Sequence, residues 1–227
     1  MIGIIGAMEK EISLLRDKME NMTEQKIGMT RFYQGMLWGK DVCLALCGIG
    51  KIHAALCAQA MILHFAPDCI INIGVAGALD KSLDIGDVVI GAYGVQHDMD
   101  TTAFGDPLGC IPEINIVELP CDKKLMDAME KAADQQGLHH ITAGIATGDQ
   151  FIAALEKKQM LASHFGAAAC DMEGAAIAQV CYEMQVPYGA YRAISDTLEG
   201  DEKEYMEKAS IAAANSQRLL EAFFAHL

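Results

Sequence analysis

Four carboxylates in this chain stand at or just beyond the ends of short apolar runs: Glu11, Asp171, Glu173 and Asp196. In open α/β sheets, ligands bind past the carboxyl ends of the strands. Carboxylates gathered there suit acid/base work on a neutral polar substrate such as a sugar or nucleoside. Asp196 directly follows the nearly apolar run YGAYRAIS, a partly desolvated setting that fits a general acid; a turn or helix-capping aspartate is the alternative. Glu173 precedes an alanine-rich segment. It either caps that helix or accepts hydrogen bonds from a diol, because an ionised carboxylate is acceptor-only. Glu11 lies one helical turn after a glycine turn and faces either solvent or a pocket.

The elements that must hold these groups are legible as periodicity. MIGIIG reads as a buried parallel strand, and Ile12, Leu15, Met19 and Met22 predict a helix from about Met8. RFYQGMLW and DVCLALC, separated by Gly39-Lys40, read as a hairpin, and GIGK leads into a helix stopped by Pro67. CIINIGVAGAL (69–79) predicts a central strand running into a tight turn, and 85–96 another strand. Residues 98–116, with Pro107 and Pro112, predict a long connection. A helix over 122–136, a strand over 141–147 and a helix over 153–164 follow. A short strand ends before Asp171, a helix follows Gly174, and a strand from Tyr188 ends at Asp196. The acidic stretch 198–208 then leads into a last helix. This alternation without a linker predicts one three-layer α/β domain over 1–227, with a mixed sheet.

Composition narrows the function. Seventeen Lys and Arg against 31 Asp and Glu give a net charge of −14, which disfavours nucleic acid as a partner. The eight Cys are scattered, and Cys43, Cys47, Cys57, Cys69 and Cys170 sit in apolar runs as small buried hydrophobes. With no Cys-x-x-Cys or Cys/His cluster, a metal site is not expected, and a reduced, cytoplasmic protein is. No apolar run is long enough for a membrane span, and the N-terminus does not read as a signal peptide.

Neither GIGK nor GIIGAM matches a P-loop or dinucleotide fingerprint, so no nucleotide cofactor is expected. The chain has four arginines, Arg16, Arg31, Arg192 and Arg218, and only Arg192 falls in a candidate pocket segment. A phosphate nucleophile generally needs convergent cationic donors, so water is the better candidate nucleophile. His97-Asp98 reads chiefly as a loop anchor. Phe151 is placed either to stack on a planar base or to cover the local core, and Met8 and Met172 flank the carboxylates as soft apolar wall.

Together, GIIGAMEKE, NIGVAGAL, IGDVV, HDMDTTAFG, TGDQFI, DMEGAA and RAISD, in this order and spacing, resemble the bacterial 5′-methylthioadenosine/S-adenosylhomocysteine nucleosidases of the nucleoside phosphorylase and nucleosidase family. The resemblance spans essentially the whole chain. It implies an α/β/α fold with a partly barrel-like sheet, a homodimer, and hydrolysis of the N-glycosidic bond with release of adenine and a thioribose. It further implies that Glu11 activates water, Asp196 protonates adenine N7, and Glu173 holds the ribose hydroxyls with Met172 and Met8 against the sugar. Phe151 would stack on adenine and the backbone of Ile152 would read the purine edge, with Ser195 and Arg192 ordering the pocket. Part of the wall near the 5′ substituent would come from the partner's 97–112 segment. Two positions depart from the family pattern: Val75 stands where serine is frequent, and Asp171 where glutamate is common. A nucleosidase for another adenine nucleoside, such as aminodeoxyfutalosine or 5′-deoxyadenosine, and a phosphorylase are the rival readings.

Overall fold

A computed structural model describes residues 1–227. The chain opens with β1 (Ile2–Gly6), α1 (Glu9–Lys18), β2 (Glu20–Ile27), β3 (Thr30–Leu37), β4 (Lys40–Leu46) and α2 (Lys51–Phe65). It continues through β5 (Cys69–Asn72), β6 (Val75–Ala78), β7 (Val88–Gln96), β8 (Leu119–Pro120), α3 (Lys123–Gln136) and β9 (His140–Thr147). It ends with α4 (Leu155–Phe165), β10 (Ala167–Asp171), α5 (Gly174–Glu183), β11 (Tyr188–Asp196) and α6 (Glu202–Phe224).

All strands join one mixed sheet in the order β2-β3-β4-β1-β5-β11-β6-β10-β9-β7-β8. An additional β11–β7 pairing closes β11, β6, β10, β9 and β7 into a five-stranded barrel. The long strand β11 makes this possible, because its first half pairs with β5 and its second half with β6. The run 69–79, expected as one strand, is therefore two. They part at Ile73-Gly74, so that β5 stays in the open sheet while β6 turns into the barrel.

Helices cover both faces. One apolar core packs α2 and α5 against the sheet around Ile5, Ala58, Ile70 and Ile177; the other packs α1, α3 and α6 around Ile4, Leu15, Met129 and Phe223. Most of the cysteines serve the packing role read from their apolar runs. All eight are free, seven are buried, and burial pushes the thiols of Cys43, Cys170 and Cys181 up to about 12.

Two boundaries differ most from the periodicity. The first helix stops at Lys18 rather than reaching Met22; the Met19 N–H closes on the Arg16 carbonyl and the chain turns into β2. That edge strand pairs only with β3 and exposes nearly all its side chains, so no apolar alternation announces it. The acidic stretch is itself largely helical: the Asp201 side chain accepts from the backbone N–H groups of Lys203 and Glu204 and starts α6 at Glu202. The 98–116 connection holds only a 3₁₀ turn, Thr102–Phe104, and an isolated bridge between Ile111 and Ile116.

Candidate active site

The strand ends that carry the chemistry surround one cavity of about 570 Å³, counting its open mouth. Its walls come from Ala7, Met8 and Glu11 after β1, Val75 to Gly77 in β6, Gln150 to Ile152 after β9, Asp171 to Glu173 after β10, and Ser195-Asp196 at the end of β11. Ile49 and Tyr205 complete it. This is the size and the mixed apolar and polar lining of a small-molecule site.

Glu11 is turned inward from α1 and is almost fully buried. Its Oε2 accepts from the N–H groups of Ala7 (2.8 Å) and Met8 (2.9 Å), and its Oε1 from that of Val75 (3.2 Å). Burial pushes its carboxyl above the ordinary glutamate value, although the hydrogen bond from Met8 and the charge of Arg192 pull the other way. A more basic carboxylate is a better acceptor for a proton from water. Val75 contributes through its backbone here, so its side-chain identity is free of that contact.

Glu173 stands just before α5, and its Oε1 accepts from the Gly50 N–H at 2.8 Å. Its side chain does not cap α5. Burial, reinforced by the nearby charge of Asp171, raises its carboxyl to about 7.

Asp171, one methylene shorter than glutamate, is fully engaged. Thr147 Oγ1, the Gly174 N–H and the guanidinium of Arg192 all donate to it. Arg192 is likewise consumed. Nε and Nη2 donate to Asp171 Oδ2, Nη1 to the carbonyls of Asn72 and Tyr191, and Nη2 also to Asn72 Oδ1. A guanidinium has five N–H donors, and these five bonds use them. Arg192 lies behind Asp171 and does not line the cavity.

Asp196 is buried. Ser195 Oγ lies 2.9 Å from its Oδ1, and Lys158 Nζ donates to its Oδ2 at 2.9 Å. Phe151 is half exposed at the mouth and meets Tyr205 edge to face, 5.5 Å between ring centroids. Ile152 is buried beneath it, and Met172 lies beside Glu173 in the wall. Of the ten residues expected at a site, nine therefore line this cavity, and Arg192 supports it from behind.

Three participants escaped the sequence reading. Tyr205 hides in the acidic stretch; its hydroxyl meets Met8 Sδ at 3.3 Å and accepts from Lys10 Nζ at 3.1 Å. Ile49 comes from the GIGK turn. Lys158 had a visible signal: with Leu161 and Phe165 it forms an i, i+3, i+7 stripe, the buried face of α4. No group of three or more His, Cys, Asp or Glu side chains is arranged to hold a metal ion.

Residues 1–225 match the family model of the phosphorylase superfamily. The chain belongs to that superfamily. It is similar to the 5′-methylthioadenosine/S-adenosylhomocysteine nucleosidase of Staphylococcus aureus, 39% identical over 225 residues covering 97% of this chain and 98% of that one. The crystal structure of the enzyme of the same name from Neisseria meningitidis, in complex with methylthio-immucillin-A, is 40% identical. It has a TM-score of 0.95 and covers 100% of this chain and 99% of its own. The futalosine hydrolase of Helicobacter pylori is 35% identical with a TM-score of 0.94, covering 100% and 97%. In this chain the guanidinium of Arg192 is spent on Asp171, Asn72 and Tyr191, which leaves no arginine donor in the cavity to clamp a phosphate.

Proposed function

We infer that the chain works as a single nucleosidase domain that hydrolyses the N-glycosidic bond of 5′-methylthioadenosine and S-adenosylhomocysteine, releasing adenine and the 5-thio-substituted ribose. The observation that carries this reading is how charge is distributed around the cavity. Asp171 and Asp196 each meet a cation, Arg192 and Lys158, whereas Glu11 and Glu173 meet only backbone N–H groups. The two glutamates are thus the carboxylates left to face the positive charge that grows on a ribose ring as its glycosidic bond breaks.

In this mechanism Asp196 gives its proton to N7 of adenine, and the electron pair of the C1′–N9 bond leaves with the base. Water held by Glu11 adds to C1′ while Glu11 takes its proton. Glu173 accepts from the ribose hydroxyls, and Met172 and Met8 pack against the sugar. Phe151 stacks on the base, the Ile152 backbone reads its edge, and Ser195 orients Asp196. Tyr205, whose hydroxyl meets Met8 and whose ring meets Phe151, lines the same cavity with Ile49 and is assigned to the 5′ substituent.

The test is chromatography of the products formed from 5′-methylthioadenosine with and without inorganic phosphate. Adenine and a free thioribose in both reactions are expected; a sugar 1-phosphate that requires phosphate would make the chain a phosphorylase. The similarity to futalosine hydrolase supports a second substrate reading, an adenine nucleoside with a larger 5′ group. Competition between aminodeoxyfutalosine and 5′-methylthioadenosine decides it by the ratio of kcat/KM values.

The working form we propose is a homodimer in a cytoplasmic setting. No helix is long and apolar enough to cross a membrane. Ile52, Leu56 and Leu63 on α2 and Phe104 in the 98–116 connection expose large apolar surface, as a subunit contact requires. Activity followed on dilution alongside molecular mass should fall as dimers dissociate; a fully active monomer overturns the shared pocket.

A further inference from the structure

Lys158 is a buried lysine with no exposed side-chain surface. Burying an ammonium is costly unless every donor is used. Here all three are. Nζ donates to Asp196 Oδ2 at 2.9 Å, to the Thr197 carbonyl at 2.8 Å and to the Gly200 carbonyl at 3.0 Å. One side chain from α4 therefore holds both the carboxylate at the end of β11 and the turn that leads into α6. That same helix carries Tyr205 to the cavity mouth.

The two oxygens of Asp196 are not equivalent. Oδ1 faces Ser195 Oγ, whose single hydrogen has two acceptors in reach, Oδ1 at 2.9 Å and the Ala76 carbonyl at 3.1 Å. Turning that hydrogen toward Ala76 frees Oδ1 to carry a proton. Oδ2 has no such freedom, because an ammonium only donates.

We propose that Lys158 is a positioning residue for the proton donor: it pins Oδ2 of Asp196, assigns the transferable proton to Oδ1, and faces the carboxylate charge left when that proton has moved to the base. This rests on the hydrolytic reading above. The proton passes from Oδ1 to the base nitrogen and the C1′–N9 electron pair goes to the base. Asp196 is left as a carboxylate against a cation already in place, which costs no reorganisation at the moment of reaction.

Two neutral replacements test it, Lys158→Met and Lys158→Gln, the second retaining donors for the carbonyls of Thr197 and Gly200. In both, kcat for 5′-methylthioadenosine is expected to fall about 10- to 100-fold, part of what a positioned acid supplies, with KM changed less than about threefold. A role exerted through Asp196 also predicts that Lys158→Met adds little to Asp196→Asn in single-turnover assays. A kcat equal to the parent's in Lys158→Gln overturns the proposal, as does a loss that multiplies fully with Asp196→Asn or appears only in KM. If Lys158→Met does not fold, judged by its melting curve, Lys158→Gln alone decides. Failure of the unsubstituted protein to release adenine would instead overturn the hydrolytic reading itself.

Discussion

The Glu173 carboxylate at the cavity wall reaches the backbone of Gly50, its Oε1 accepting that N–H at 2.8 Å, and no cation pairs with it. Gly50 has φ 97°, a left-handed conformation that favours glycine, and directly precedes α2. A turn from the first half of the chain thus orients a carboxylate from the second half. With one backbone donor and heavy burial, Glu173 holds its proton to about 7 rather than the ordinary 4.5.

That shift sets the direction of a pH effect on stability. Below pH 4.5 the carboxyl is protonated in folded and unfolded chains alike, and the folded state, which holds the proton more tightly, has the full benefit. As pH rises from 4.5 through about 7 the unfolded chain releases its proton first, and this contribution is lost. The ligand-free protein should lose melting temperature between pH 5 and 8, and Glu173→Gln should lose less. Parallel Tm–pH curves for the two would refute the assignment.

Asp196→Asn and Glu11→Gln separate the two halves of the mechanism. Each removes a group to which the proposed mechanism gives a proton transfer while keeping its shape, so nucleoside binding should persist while kcat drops by about 10²- to 10⁴-fold. In Asp196→Asn the buried Lys158 ammonium meets an amide in place of the carboxyl group at the Oδ2 position, so its melting temperature should also fall. Calorimetric binding beside turnover checks both. Unchanged turnover in either variant moves that role elsewhere.

Much of this site was readable because strand ends announce themselves. Asp171 and Asp196 directly follow apolar runs and Glu173 lies two residues beyond Asp171, so their positions follow from continuously buried strands and the rule for where ligands bind in α/β sheets. What escaped depended on tertiary closure. Nothing in NIGVAGAL says that the chain changes from open sheet to barrel at Gly74; that depends on β11 being long enough to pair with two strands in turn. Tyr205 sits among charged residues whose polarity hides the start of α6. The use of all five Arg192 donors is a fact of packing, invisible in a chain with four arginines to choose from. Lys158 is the instructive miss, since its stripe with Leu161 and Phe165 marked it as inward-facing, but a lysine at a helical position is ordinarily read as solvated.

Arg192→Met should destabilise the fold more than it changes the chemistry. The substitution leaves Asp171 buried without its cation, and breaking a buried pair from one side costs about 3–5 kcal/mol. Thr147 and the Gly174 N–H still donate to Asp171 but cannot neutralise it. Urea denaturation should show a lower midpoint with the slope kept. A stability within about 0.5 kcal/mol of the parent would mean that Asp171 is not held by that charge.

Gly77→Ala tests how closely Asp196, the proposed proton donor, is confined. A Cβ built on Gly77 falls 2.7 Å from Asp196 Oδ2 and 3.3 Å from Oδ1, too near for the carboxylate to stay where it is. The carboxylate has little room to retreat, because Lys158 holds one oxygen and Ser195 faces the other. The backbone at Gly77 carries no left-handed φ, so the added methyl acts by contact and leaves strand geometry intact. The expected result is a well-folded protein whose melting temperature falls by a few degrees and whose kcat falls by about 10²-fold, the scale of a small misplacement of a catalytic group. Nucleoside binding should weaken far less. A variant with parental kcat would show that Asp196 shifts freely, and with it that the Lys158 contact does not fix its position.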